Sequence, residues 1–76
     1  MSYEVKIDDS HNLMVIKRKS SLIDDETYEF YIMATDENIE TPYHYIYAIS
    51  ASNRDLDAAI ELAILNAPSY YHLLED

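Results

Sequence analysis

The first period along the chain is two. Residues 2 to 8, SYEVKID, alternate Tyr3, Val5 and Ile7 with Glu4 and Lys6, which sets the apolar side chains on one face of a half-buried strand. Asp9-Ser10-His11-Asn12 reads as a polar turn, and LMVIKRK at 13 to 19 supplies the aliphatic and β-branched residues of a second strand, so a hairpin is predicted. Residues 20 to 26, SSLIDDE, read as a loop. TYEFYIMAT at 27 to 35 is aromatic and β-prone enough for a third strand. The acidic segment DENIETP at 36 to 42 is the next loop. Pro42 then opens a fourth strand, YHYIYAIS at 43 to 50, since proline is tolerated at a strand's first residue or on an edge.

Beyond residue 50 the period lengthens. Leu56, Ala59, Ile60, Ala63, Ile64 and Ala67 recur at i, i+3, i+4, i+7, i+8 and i+11, one apolar stripe of a helix. Ser52 with Asp55 three residues on, or Asn53 alone, offers an N-cap, and Asp55 and Asp57 suit the positive end of the helix dipole. Pro68 is expected to stop the helix, and the tail SYYHLLED to form a last short turn. The predicted order is β-β-β-β-α, an α+β fold in which a four-stranded antiparallel meander carries one C-terminal helix on one face. With 76 residues, one domain spanning 1–76 is expected. One sheet face is left over. Leu62 and Leu65 also lie off the main stripe, so either Tyr70, Tyr71, Leu73 and Leu74 of the tail fold back on them or a second subunit covers them. Leu62, Leu65, Tyr70 and Tyr71 are accordingly the candidate dimer contacts.

Composition removes whole classes of chemistry. The chain has no glycine. Phosphate-cradling loops need glycine because only a residue without Cβ lets backbone amides approach a phosphate closely, so the P-loop, the dinucleotide fingerprint and the Gly-x-Ser-x-Gly elbow are excluded. Turns that require positive φ would have to use asparagine or aspartate, with Asn12, Asn38, Asn53 and Asn66 available. There is no cysteine either, which excludes disulfides and thiolate ligands and suits a reducing compartment. No apolar run approaches the ~18 residues of a membrane span, and MSYEVKIDD lacks the order of a signal peptide, so a soluble, cytoplasmic protein is expected. His11, His44 and His72 are dispersed without ligand spacing, and Asp24-Asp25-Glu26 lacks the glycine and spacing of a calcium loop. No metal, no cofactor and no enzymatic activity are expected.

Charge narrows the remaining choice to binding. Residues 1 to 19 carry three acids and four bases, whereas residues 20 to 76 carry twelve acids against the single base Arg54. The net charge of −10 therefore comes from the second region, which alone holds −11. Such a field repels nucleic acid and membrane surfaces and attracts basic proteins. Duplex DNA bears one negative charge per ~1.7 Å of axis, and its binding proteins display matching cations. A small domain covered in carboxylates can occupy their grooves in its place.

The candidate partner-binding residues are the acid clusters Asp24, Asp25 and Glu26; Asp36, Glu37 and Glu40; and Asp55, Asp57 and Glu61. Eight tyrosines add to them. Tyr43, Tyr45 and Tyr47 alternate and are expected to share one sheet face opposite His44, Ile46 and Ala48, forming an exposed aromatic stripe if the helix covers the other side, or filling the core if it does not. The run Lys17-Arg18-Lys19 reads either as neutralising Asp24 to Glu26 or as protecting a strand end from pairing. The leading functional reading is an acidic antagonist of a basic, nucleic-acid-binding protein, by analogy of size and charge with the small proteins that phage and mobile elements direct at restriction, CRISPR or transcription machinery. A homodimeric assembly or regulatory module is the second reading, and a protein that sequesters a small nucleotide between tyrosines the third.

Overall fold

The computed structural model describes residues 2–19, 26–50 and 55–74. Strands β1 (Ser2–Lys6), β2 (His11–Lys19), β3 (Glu26–Ala34) and β4 (Tyr43–Ser50) form one sheet in the order β1-β2-β3-β4, antiparallel throughout. Helix α1 (Leu56–Asn66) and a 3₁₀ segment (Ala67–Leu73) follow. This is the predicted meander with a C-terminal helix. No helix among the described residues is long and apolar enough to cross a membrane.

Both sequence periods act as expected in the core. Leu13 and Val15 of β2 and Phe30 of β3 pack with Ala63 of α1, all four with essentially no exposed surface. Val5, Ile7, Tyr28 and Ile49 from the sheet side and Leu56, Ala59, Ile60 and Ile64 from the helix surround them. Ala63 is the buried residue that α1 contributes to this centre. At the other end of the sheet Ile32, Ala34 and Ala67 are buried where the 3₁₀ segment meets β3.

Several boundaries differ from the expectation for identifiable reasons. His11 and Asn12 already belong to β2, and the turn is earlier and tighter: the Ile7 and Asp8 amides donate to the His11 carbonyl at 3.0 and 3.1 Å, and the Ser10 amide donates to Asp8 Oδ1 at 2.8 Å. Aspartate thus builds the turn with its side chain. No described residue has positive φ, so Asn12, Asn38 and Asn66 are not used for that purpose, and Asn53 lies outside the described residues. Asn12 sits in the ladder opposite Lys6, and the Asn38 amide donates to Asp36 Oδ1 at 2.9 Å. Ser52 and Asn53, the candidate caps, lie outside the described residues; Asp55 precedes the helix without a side-chain cap bond, and its carbonyl accepts from the Ala59 amide at 2.9 Å. Pro68 ends the α-helical bonding but not the helical path. It falls in the first positions of the 3₁₀ segment, where its missing N–H has no partner to lose.

The largest departure lies in β4. The pairing runs Thr27↔Ser50 to Phe30↔Tyr47, then resumes at Tyr31↔Tyr45, leaving Ile46 as an extra residue. This bulge reverses the face of every residue beyond it. Tyr43 and Tyr45 point away from α1, whereas Tyr47 turns toward it together with Ile46 and Ile49. The expected single face of Tyr43, Tyr45 and Tyr47 is therefore corrected, as is the shared face of Ile46 and Ala48. Tyr47 meets Phe30 with ring centroids 5.0 Å apart and donates its hydroxyl proton to the Ala59 carbonyl at 2.9 Å. Burial, with the nearby Tyr70 adding to it, pushes the Tyr47 phenol upward.

The three tyrosines of β4 should consequently respond differently to loss of the hydroxyl. Tyr47→Phe is expected to cost about 1 kcal/mol by urea unfolding, the usual net contribution of one such bond. Tyr43→Phe and Tyr45→Phe should stay within about 0.5 kcal/mol of the parent, as exposed substitutions do. Equal costs at all three positions would contradict the reversed face.

Candidate functional site

The sheet face that α1 leaves uncovered is built by register alone. Glu4, Met14, Tyr31 and Tyr45 lie opposite one another across the four strands, as do Lys6, Asn12, Met33 and Tyr43, and then Ser2, Ile16, Glu29 and Ala48. The centre is consequently apolar and aromatic. Tyr31 packs edge-on against Tyr45 and Tyr43 at centroid distances of 5.6 and 6.3 Å. Tyr43 is 55% and Tyr45 46% exposed. Rigid aromatic surface of this kind gives contact area at low entropic cost.

An ion pair anchors the middle of that face. Arg18 donates through Nε to Glu29 Oε1 at 2.6 Å, and the Tyr31 hydroxyl donates to the same oxygen at 2.8 Å. Burial alone would raise the Glu29 carboxyl, but the two donors and the guanidinium charge outweigh it and hold it below its ordinary value. The bond to Glu29 in turn pushes the Tyr31 phenol up. Tyr31 is thereby fixed as the hub of the aromatic group. Among the described residues β1 pairs with β2 only as far as Ile16, so Lys17, Arg18 and Lys19 form a strand end without a neighbouring strand on that side. Lys17 also pairs with Glu26 at 2.9 Å, so neutralisation holds for Glu26.

The acid clusters do not form one patch. Asp24 and Asp25 lie outside the described residues. Glu26 starts β3, while Asp36, Glu37 and Glu40 follow its end; the strand between them, eight steps of ~3.3 Å from Glu26 to Ala34, is roughly 26 Å long. Asp36, Glu37 and Glu40 are exposed and lie beside the β1–β2 turn, whose Ser10 carbonyl accepts from the Thr35 amide at 3.0 Å. Asp55, Asp57 and Glu61 are exposed at and along the start of α1. The Ala34 end of β3 is acidic, whereas at the Glu26 end Lys17, Arg18 and Lys19 face Glu26 and Glu29, and the tyrosine surface lies between the two.

Sequence reasoning missed a second cluster. The His11 ring stacks on Tyr71 at 3.6 Å with planes 4° apart, His11 Nδ1 lies 2.9 Å from Asp8 Oδ1, and the Tyr71 hydroxyl donates to Asp8 Oδ2 at 3.2 Å. This ties the 3₁₀ segment to the first turn. Tyr71 is therefore engaged within the chain, and Tyr70 is half-buried. Leu62 and Leu65 remain 53% and 76% exposed, so the tail does not fold back over them. Among the described residues no three His, Asp or Glu side chains converge where a metal ion could sit. Comparison with protein-family models, curated proteins and solved structures finds no match to this chain.

The Asp8 cluster has a definite pH signature. The Ser10 amide first, then the His11 bond, and least the Tyr71 hydroxyl, stabilise the Asp8 carboxylate and lower its pKa. A depressed carboxyl contributes stability above its unfolded pKa, and that contribution is lost as pH falls through the folded value. His11→Ala is expected to raise the Asp8 midpoint more than Tyr71→Phe does, with both variants still below an ordinary aspartate because the Ser10 bond persists. Side-chain carboxyl NMR titration reads this order directly; a larger effect from Tyr71→Phe would contradict it.

Proposed function

We propose that this chain is a non-catalytic binding protein that antagonises a basic, nucleic-acid-binding protein by presenting carboxylates and tyrosines where that partner expects a polyanion. The observation that carries the reading is the placement of the cations. Lys6 pairs with Asp9 at 3.2 Å, Lys17 with Glu26, and Arg18 with Glu29, while Lys19 also acts on Glu26. All four described bases are thus directed at carboxylates of the chain itself. The exposed carboxylates of Asp36, Glu37, Glu40, Asp57 and Glu61 then dominate the surface that an approaching molecule meets.

The long axis of the body is 38 Å, against 24 and 18 Å across, an elongated shape of roughly duplex width. Tyrosine surface between the ends supplies contact area that DNA would supply with its sugar and base edges. The reading fits a protein of phage or mobile-element type acting in the host cytoplasm, where a chain without cysteine is at no disadvantage.

Neutralising Asp36, Glu37 and Glu40 together, by Asp36→Asn, Glu37→Gln and Glu40→Gln, should lower capture of the partner from bacterial lysate about tenfold, since exposed charges contribute ~0.2–1 kcal/mol each. The captured protein should be a DNA- or RNA-binding one that duplex DNA displaces. Capture that stays constant between about 50 and 500 mM salt would rule out charge mimicry.

A further inference from the structure

The two edges of the sheet are defended unequally. Edge strands expose unpaired amides and carbonyls, and proteins blunt them with charge, shortness or proline. β1 is five residues long and carries Glu4 and Lys6, whereas β4 is eight residues long and has no charged residue. The Ile46 bulge does not blunt β4, because the strand stays in the ladder on both sides of it. Among the described residues no strand lies beyond β4.

The ladder indicates which groups face outward. The Ala34 amide donates to the Pro42 carbonyl at 2.6 Å, and antiparallel bonding alternates from there, so His44, Tyr47 and Ile49 bond toward β3. The backbone groups of Tyr43, Tyr45 and Ala48 are turned to the open side, where the Tyr45 carbonyl is met by His44 Nδ1 at 2.7 Å and the three amides face outward. Beside that edge runs a groove of about 280 Å³ lined by Tyr47 and Ile49 of β4, Ala58, Ala59 and Leu62 of α1, and Asp55. Ala58, Leu62 and Leu65 follow at i, i+4 and i+7, a second stripe that the core does not use. An open strand edge flanked by an apolar helix face is the arrangement that accepts an added strand: main-chain bonds hold it, and alternate side chains enter the groove.

We infer that β4 and α1 together receive an extended segment of a partner chain with apolar residues alternating toward the groove and Lys or Arg at both ends. This rests on the reading of a basic partner and names how that partner is held. Charge complementarity selects the occupant. Asp55 lines the groove at the Ser50 end of β4, and the exposed Asp36, Glu37 and Glu40 precede its Tyr43 end. A second copy is disfavoured by the same geometry: pairing β4 antiparallel with its own copy lays the Glu40 end of each against the Asp55 end of the other, acid on acid at both ends.

The test is a displayed library of random nonapeptides panned on the full-length protein. Enriched peptides should alternate Val, Ile, Thr or Tyr between terminal Lys or Arg, and should slow hydrogen exchange at the amides of Tyr43, Tyr45 and Ala48. Leu62→Lys, a change on the exposed helix surface checked for folding by circular dichroism, should weaken them at least tenfold. Ala48→Pro, which removes an outward amide and leaves the groove intact, should do the same. No enrichment overturns the inference, as do peptides that bind Leu62→Lys equally or protect other amides. A free chain that sediments as a dimer with those amides already protected also overturns it, in favour of a second copy. If a basic protein is captured equally by the parent and by Leu62→Lys, this inference fails while the proposed function stands. Groove-bound peptides without any captured basic protein give the reverse.

Discussion

The parity of β4 governs how the rest of the molecule is arranged. A strand repeats every two residues, so one extra residue exchanges the faces of everything after it. Ile46 is that residue, and it lets one strand serve two surfaces. Tyr43 and Tyr45 stay with Tyr31 on the open face, while Tyr47 turns inward to close the core over Phe30 and to hold α1 through the Ala59 carbonyl. A phenol moved inside requires an acceptor, and the helix backbone provides one. With unbroken alternation the three tyrosines would share one side, and either the core would lose Tyr47 or the open face would lose its aromatic pair.

Electrostatics follow from the same frame. Three of the four described cations lie at the C-terminal end of β2, where register sets Lys19 opposite Glu26 and brings Lys17 and Arg18 within reach of Glu26 and Glu29. The remaining acids are driven to the ends of the sheet and to the helix surface. Separation of roughly 26 Å exceeds the Debye length of ~8–10 Å at physiological salt, so Asp36, Glu37 and Glu40 barely act on the charges at the Glu26 end. A chain of net charge −10 can fold around so small a core because its like charges are divided in this way. A partner that uses both ends must span the tyrosine surface between them.

What could be read from the sequence depended on periodicity. The strands and α1 were legible because periods of 2 and 3.6 stand out over eight or more residues, and because Leu56 to Ala67 forms an unbroken stripe. The bulge was not legible. YHYIYAIS alternates without interruption, and no glycine marks the point where the strand gains a residue, so Tyr47 appeared to belong with Tyr43 and Tyr45. Membership of the open face was equally hidden, since Met14, Tyr31 and Met33 meet Tyr43 and Tyr45 only through strand register. The Lys17 pair with Glu26 was within reach of sequence proximity, whereas the Arg18 pair with Glu29 required the register of β2 against β3. Tyr71 is taken up by His11 and Asp8, and its bond to Asp8 spans sixty-three positions, which local pattern does not encode.

The fold leaves one layer short of closure, and the shortage falls on one strand. A compact chain of this length has a radius of gyration of about 11.4 Å, against 12.9 Å here, as expected when a sheet is covered on one side only. Without glycine, cysteine or a second helix, nothing within the described chain covers the remaining face. β1 answers its exposure with Glu4 and Lys6, the ordinary defence of an edge. β4 has the opposite composition: the strand and its two exposed tyrosines lack charge, while Asp36, Glu37 and Glu40 precede it and Asp55 lines the groove it shares with Leu62. Selection for solubility alone would place charge on the strand itself, as it does on β1. An uncharged edge bracketed by carboxylates at both ends is instead the pattern of a surface shaped for a complementary strand.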